Sequence, residues 1–164
     1  MRVLGIDPGL ATMGWGVVDE RQGTPEYVGC GAIRTPAGMP LPSRLASIDC
    51  QLSDLLNRYR PDEIVFEELF FARNVTTAFT VGAARGVAIA ACARYTDALF
   101  EYTPMQIKLA VVGYGHAEKQ QVQQMIKMIL RLPGVPSPDD AADAVAAAVT
   151  HVNAGRARFQ FRMK

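Results

Sequence analysis

Short apolar runs open the chain, and their spacing predicts β-strands. The runs "MRVLGI" and "GWGVV" are separated by a turn that contains Pro8 and Gly9, and "YVGCGAIRT" follows as a third run. Turn residues between neighbouring runs of this kind favour short connections. We therefore expect an antiparallel meander of three strands at the start of the chain.

Helical periodicity follows the meander. Apolar residues recur at spacings of three and four over residues 45–59, and Pro61 then stops the pattern. The runs "EIVFEE" and "ALFEY" predict a fourth and a fifth strand on either side of a helix over residues 74–95. Three further helices are predicted: one that Thr103 caps and that ends near Gly113, one over residues 118–130, and one that Ser137 caps with Pro138 in its first turn.

This order of elements, βββαβαβα and then further helices, is typical of one mixed α/β domain. We assign residues 1–155 to that domain and residues 156–164 to a basic C-terminal tail. The chain has 164 residues, of which 49% are hydrophobic and 20% charged, as in a globular soluble protein. No stretch approaches the roughly 20 apolar residues that span a membrane, so we expect a cytoplasmic protein.

Net charge and cysteine content exclude only a few classes of function. The formal net charge of +1 is no signature of a nucleic-acid-binding protein, although the C-terminal half is basic. After Asp143 there is no acidic residue, so the tail either binds DNA or is a solvated, disordered end. Three cysteines without a CxxC pair make a disulfide framework or a zinc site improbable.

Acidic residues occur where the predicted strands and the last helix begin or end. Asp7 ends the first strand, Glu67 or Glu68 ends the fourth, and Asp140 and Asp143 share one face of the last helix. Four carboxylates so close together would repel one another unless cations lay between them. Oxygen ligands of this kind favour Mg²⁺ or Mn²⁺ over zinc.

Each acid also has a simpler interpretation. Asp139 and Asp140 suit the first turn of any helix, where they offset the helix dipole, and Asp7 suits the turn before Pro8. Asp143 is harder to explain in this way, because it lies among small apolar residues where an uncompensated charge is costly.

Five motifs together give the chain a resemblance to a known family. They are "LGIDPG", "PDEIVFEELFFARN", "GAARGVAIAA", "VVGYGHAEKQQVQ" and "DAADAVAAAVTH". In this order and at this spacing the chain resembles the RuvC-type Holliday-junction resolvases. The resemblance implies a ribonuclease-H-like fold, with a central five-stranded mixed sheet of three antiparallel and then two parallel strands, flanked by helices. It also implies an endonuclease that resolves four-way junctions by paired symmetric nicks in homologous recombination and DNA repair.

The family's acidic quartet corresponds to Asp7, Glu67, Asp140 and Asp143, which would bind two Mg²⁺ ions, with Mn²⁺ able to substitute. Neighbouring residues of a strand face opposite ways, so only one of Glu67 and Glu68 enters the site, and the resemblance selects Glu67. Asp140 shares the helix face of Asp143, whereas Asp139 does not.

Basic and aromatic positions of the family also have counterparts. Lys119 matches a catalytic and DNA-binding position, and Lys108 matches a DNA-binding one, although either could be a solvated helix lysine. Phe70 matches a position that resembles a stacking wedge, and Arg73 and Asn74 would contact DNA nearby.

Partners follow from the symmetry of the substrate. A four-way junction has two-fold symmetry, so paired cuts require a homodimer. A small-residue stripe (Gly82, Gly86, Ala90 and Ala93) should pack against the sheet or against the second subunit. The resemblance also implies branch-migration proteins of the RuvA and RuvB type as partners, and no membrane.

Three other functions fit parts of the sequence. The "GIDPG" motif also resembles the start of actin-like ATPases, which need two such domains, whereas this chain supplies one. A nuclease of the same fold that cleaves RNA–DNA hybrids or other branched DNA is a second alternative, and a catalytically silent junction-binding module is a third. His116 and His151 are weak candidates for a proton carrier.

Overall fold

The computed structural model describes residues 1–69 and 75–164. Its strands are β1 (Arg2–Asp7), β2 (Thr12–Arg21), β3 (Thr24–Arg34), β4 (Glu63–Glu67) and β5 (Leu99–Tyr102). Its helices are α1 (Leu41–Tyr59), α2 (Val75–Tyr95), α3 (Pro104–Val112), α4 (Lys119–Ile129) and α5 (Asp139–Ala154), followed by a 3-10 helix (Gly155–Phe161). The predicted order of elements is confirmed, and β2 and β3 are longer than their apolar runs because they pair along their whole length.

The five strands form one sheet, in which they lie in the order β3-β2-β1-β4-β5. The pairs β3/β2 and β2/β1 are antiparallel, whereas β1/β4 and β4/β5 are parallel, so the predicted mixed sheet is confirmed. Ile6 pairs with Phe66, so β1 and β4 end at the same edge of the sheet. Asp7 and Glu67, the last residues of these strands, therefore lie at one edge.

Both faces of the sheet are covered, because successive strand residues point to opposite sides. Leu4, Ile64 and Phe66 face α1 and α2, while Val3 and Val65 face α3, α4 and α5. All five side chains are buried. Two apolar layers thus enclose the sheet, and within the described ranges no helix is long and apolar enough to cross a membrane.

Helix α5 lies unusually close to the sheet over three glycines, Gly5, Gly14 and Gly16, which we call the glycine seat. A Cβ atom at Gly5 would overlap the backbone oxygen of Ala144, and one at Gly14 would overlap that of Asp140. Only hydrogen atoms leave room for this contact. The alanine-rich sequence of α5 and the glycine seat therefore bring the start of the helix down onto the end of β1.

Two helix starts were predicted from their caps, with different outcomes. Thr103 Oγ1 accepts a hydrogen bond from the backbone N–H of Gln106, so the cap of α3 is confirmed. The predicted Ser137 cap is wrong, because α5 has Pro138 at its N-cap position and no side-chain cap. Asp139 and Asp140 in the first turn instead offset the helix dipole.

The small-residue stripe of α2 does not pack against the sheet, so that alternative is wrong. Gly86, Ala90 and Ala93 are exposed, while Ala84 and Ala88 on the opposite side of the helix are buried. The helix turns these other alanines inward because α1 and the sheet cover that side. Packing of the stripe against a second subunit stays a prediction.

The C-terminal segment packs on the sheet edge. Phe161 lies 4.5 Å from Tyr102 between ring centroids, and the Met163 N–H donates to the Leu99 carbonyl at 2.9 Å. Arg162 forms a 3.0 Å ion pair with Asp97. The basic residues of this segment thus include one that is paired within the chain.

Candidate active site

Three elements bring the acidic quartet together. Asp7 and Glu67 come from the ends of β1 and β4, and α5 carries Asp140 and Asp143. Burial, followed by the charges of Glu67, Asp143 and Asp140 in that order, raises the pKa of Asp7 to about 8. Burial and the charge of Asp143 likewise raise the pKa of Glu67 to about 7. Only groups close to one another affect each other's pKa in this way.

Lys119 is the cation of this cluster. As the first residue of α4 it places Nζ 2.8 Å from Asp143 Oδ2 and 3.7 Å from Asp139 Oδ2. Burial acts to lower the pKa of Lys119, but the hydrogen bond and charge of Asp143 outweigh it, and the net shift is upward. Burial also raises the pKa of Asp143, against the opposing effect of Lys119. The lysine stays charged and compensates only part of the negative charge.

The neighbouring acids, Glu68 and Asp139, are exposed. Glu68 is exposed and lines a separate cavity beside Phe79 of α2. The side chain of Asp139 is 72% exposed and accepts a 3.1 Å hydrogen bond from Gln123 Nε2. Strand and helix periodicity thus place Glu67 and Asp140, rather than these neighbours, with Asp7.

A cavity of about 250 Å³ opens beside the quartet. Glu67, Asp143, Lys108 and Lys119 are among its lining residues. Lys108 lies on α3, and its charge lowers the pKa of Glu67 against the larger effect of burial. Two lysines from separate helices therefore face a space between two of the acids, an arrangement suited to a phosphate group.

A second group of predicted residues comprises the DNA-binding residues near β4 and the loop histidine. Phe70, Arg73 and Asn74 lie outside the described residues, so their roles stay predictions. His116 is exposed on the connection between α3 and α4. Nothing in its surroundings gives it a catalytic contact.

Sequence reasoning missed the environment of His151. Its side chain is 0% exposed, its Nδ1 lies 3.0 Å from the Tyr102 hydroxyl, and its Nε2 lies 2.7 Å from Glu63 Oε2. These partners are 49 and 88 residues away in the chain. The apolar residues around His151 indicate burial, but no local pattern indicates the partners.

The donor set of the quartet fits a hard divalent cation. Among the described residues, no three His, Cys, Asp or Glu side chains already converge as metal ligands, and Lys119 contacts Asp143 instead. The pKa values of about 8 for Asp7 and about 7 for Glu67 nevertheless mean that protons compensate this site near neutral pH. Cations that bind carboxylate oxygens can replace such protons, because binding and deprotonation are coupled.

The fold and this cluster define the class, which is that of ribonuclease-H-like nucleases. The family model for "Crossover junction endodeoxyribonuclease RuvC" matches residues 3–151. The chain belongs to the RuvC family.

Individual relatives agree with this assignment. A RuvC crossover junction endodeoxyribonuclease from Brevibacillus brevis is 56% identical over 151 residues, which are 92% of this chain and 91% of the relative. A RuvC from Alkaliphilus metalliredigens is 49% identical over 164 residues, the full length of both chains. A solved structure, T. thermophilus RuvC in complex with Holliday junction substrate, has a TM-score of 0.88 at 36% identity, and the match covers 98% of this chain and 96% of that one.

Proposed function

We propose that the chain is a Mg²⁺-dependent Holliday junction resolvase, which cuts four-way junctions by paired symmetric nicks during recombination and DNA repair in the cytoplasm. Membership of the RuvC family supports a crossover junction endodeoxyribonuclease. The observation that carries the metal dependence is the convergence of four carboxylates from the ends of β1 and β4 and from α5, which together with burial raises the pKa of Asp7. Such a site gains most from a divalent cation.

Asp7, Glu67, Asp140 and Asp143 would hold two Mg²⁺ ions, for which Mn²⁺ could substitute. The chemistry that bound ions would supply is a water molecule of lowered pKa for attack on phosphorus and a positive charge opposite the departing 3′ oxygen. The rigid ends of β1 and β4 orient the first two carboxylates. No side chain needs to act as the nucleophile.

Lys119 contributes charge rather than proton transfer. Its raised pKa keeps the ammonium group protonated, and Asp143 holds it at 2.8 Å beside the quartet. A fixed positive charge there stabilises the additional negative charge that the phosphate gains in the transition state. Lys108, on the other side of the cavity, would anchor a neighbouring phosphate.

Recognition of the junction would use further residues. Phe70 would stack on an opened base pair, while Arg73 and Asn74 contact the backbone near the cut. A homodimer would place two active sites about a two-fold axis, with the exposed stripe of α2 as its interface. Branch-migration proteins of the RuvA and RuvB type would be the further partners.

The proposal is tested by cleavage of a synthetic four-way junction against a linear duplex of the same sequence, with Mg²⁺ and with EDTA. We expect symmetric nicks in the junction alone, and none in EDTA. Equal cutting of the duplex would indicate a general nuclease. Binding of the junction without cutting under both conditions would indicate a binding module and would contradict the proposal.

A further inference from the structure

Helix α5 supplies two of the four acids, yet its contact with the sheet gives little control over its position along its own axis. The contact surface consists of the glycine seat on one side and alanine and valine side chains on the other. Apolar packing of small groups is not directional, whereas hydrogen bonds are. Sliding of α5 along this surface would move Asp140 and Asp143 relative to Asp7.

His151 makes the directional contact. Among the described side chains of α5, it is the one that hydrogen-bonds to strands, and it contacts two of them, β4 through Glu63 and β5 through Tyr102. Burial lowers the pKa of His151 against the opposing hydrogen bond and charge of Glu63, which favours the neutral ring. A neutral ring satisfies both contacts if Nε2–H donates to Glu63 and Nδ1 accepts from the Tyr102 hydroxyl.

The spacing of this contact matches the spacing of the acids. Eight residues of helix place His151 about 12 Å along α5 from Asp143. Four residues of strand place Glu63 about 13 Å along β4 from Glu67. The His151–Glu63 bond and the Asp143–Glu67 pair therefore connect the same two elements at matching points. A shift at one point is passed to the other, because the helix and the strand are both rigid.

Tyr102 connects the contact to the site by a second route. It pairs with Glu67 across the β4/β5 ladder, and its carbonyl accepts the N–H of Glu68 at 2.8 Å. Tyr102 is buried, with 2% of the residue exposed, and its hydroxyl hydrogen-bonds to the His151 ring. One residue thus joins the end of β4, where Glu67 lies, to α5.

A residue of the C-terminal segment also contacts the Glu63 carboxylate. Arg158 of the 3-10 helix lies with Nε 2.9 Å from Glu63 Oε2, as an ion pair rather than an aligned hydrogen bond. The carboxylate is thus confined between a cation and the His151 ring. This fixes the acceptor to which α5 is bound.

We propose that His151 is a positioning residue of the active site, whose bonds to Glu63 and Tyr102 set the position of α5 along the glycine seat and hence the separation between the acids of α5 and those of β1 and β4. The inference rests on the proposed metal site, because it concerns how that site is held at binding distance. Displacements of about 1 Å in such a site are costly for catalysis.

The test compares Tyr102→Phe, which removes one hydroxyl and keeps the ring, with Thr150→Val. Thr150 neighbours His151 and is equally buried, but its hydroxyl donates to the Ala146 carbonyl within α5. Both variants lose one buried hydrogen bond, and only the first loses a bond between α5 and the sheet. Mn²⁺ affinity is measured by titration calorimetry on the DNA-free full chain, and kcat and KM are measured for junction cleavage.

We expect Tyr102→Phe to weaken Mn²⁺ binding and to lower kcat by about tenfold each, with KM for the junction unchanged, as for residues that orient metal ligands. Thr150→Val should change each by less than about twofold. Equal losses in the two variants, or Mn²⁺ affinity and kcat of the wild type in Tyr102→Phe, would overturn the inference.

Two Glu63 variants separate orientation from charge. Glu63→Gln keeps an acceptor for the His151 ring and should retain Mn²⁺ affinity within about threefold, whereas Glu63→Met should resemble Tyr102→Phe. Loss in both would assign the effect to the Glu63 charge and overturn the inference. Failure of the wild type to bind Mn²⁺ or to cut junctions would overturn the proposed function as well, whereas a normal wild type with unaffected variants overturns this inference alone.

Discussion

At its N-terminal end helix α5 brings carboxylates together with too few cations, while at its C-terminal end both ring nitrogens of His151 are paired. Asp140 and Asp143 lie near Asp7, whose pKa rises to about 8. His151 is fully buried and bonded at both ring nitrogens. One helix thus has an electrostatically unfavourable cluster at its first end and a hydrogen-bonded histidine at its other end.

The two ends of α5 differ in role: the acidic cluster serves function, whereas the hydrogen-bonded histidine stabilises the fold or sets its geometry. Groups that destabilise the fold persist at functional sites, where their strained electrostatics serves binding or chemistry. Buried hydrogen-bonded groups of the other kind stabilise the fold or set its geometry. Substitutions at the two ends should therefore have opposite effects on stability and different effects on cleavage.

The largest effect is expected for Asp7→Asn. We predict that it lowers junction cleavage by at least about 10³-fold, because the site loses a carboxylate held by the sheet. Junction binding in EDTA should persist, since binding depends on phosphate contacts and shape. Gel-shift and cleavage assays on the same junction measure both. Loss of binding together with cleavage would make Asp7 a structural residue.

Lys119→Ala should have the next largest effect. We expect cleavage to slow by about 10- to 100-fold and binding to weaken only a few-fold, because the charge acts mainly in the transition state. Lys127→Ala, on the same helix α4 but two turns further on, is the matched control. Single-turnover rates at saturating enzyme separate the two effects. Equal losses in rate and affinity would reduce Lys119 to a phosphate anchor.

In EDTA, substitutions at the two ends of α5 should change the free energy of unfolding in opposite directions. The pKa of Asp7 is raised from 3.8 to about 8, so the folded chain binds this proton more tightly than the unfolded chain does. Stability should then fall as pH rises between these values. Asp7→Asn should remove that part of the slope and increase the free energy of unfolding at pH 8 by up to about 5 kcal/mol. Urea unfolding at several pH values measures it, and an unchanged slope would contradict the prediction.

His151→Phe should act in the other direction. We expect a decrease of about 2 kcal/mol in the free energy of unfolding. The variant leaves the buried Tyr102 hydroxyl without its partner and removes one hydrogen bond to the Glu63 carboxylate. Urea unfolding at pH 8 allows a direct comparison with Asp7→Asn. A stabilised variant would show that the network at this end is not favourable.

Gly86→Leu on α2 should have the smallest effect on the acidic cluster and on the His151 contacts at the two ends of α5. A Cβ at Gly86 meets nothing within 4 Å, so the single chain accommodates the larger side chain. If the stripe is a dimer interface, sedimentation should shift from dimer to monomer while the Mg²⁺ response of the isolated site is unchanged. A dimer that persists would exclude this face of α2 as the interface.

Most of the fold and the acid positions follow from local patterns. Strand alternation admits only one of Glu67 and Glu68 to the site, and the family resemblance selects Glu67. Helix periodicity separates Asp140 from Asp139, because it is a property of consecutive residues. The network of His151 could not be predicted in this way, since Glu63 and Tyr102 approach it only through the tertiary fold. The Ser137 cap failed for a related reason, because the path of the chain before α5 decides which residue takes the N-cap position.

In the proposed mechanism a divalent cation completes the acidic end of α5. The most direct test is the shift in unfolding temperature that Mg²⁺ causes at pH 8, in the wild type and in Asp7→Asn. A ligand at ten times its dissociation constant stabilises by about 1.4 kcal/mol, or about 4 °C for a chain of this size. We predict a shift of that order in the wild type and less than about 1 °C in the variant. An equal shift in both proteins, or none in the wild type, would contradict the claim.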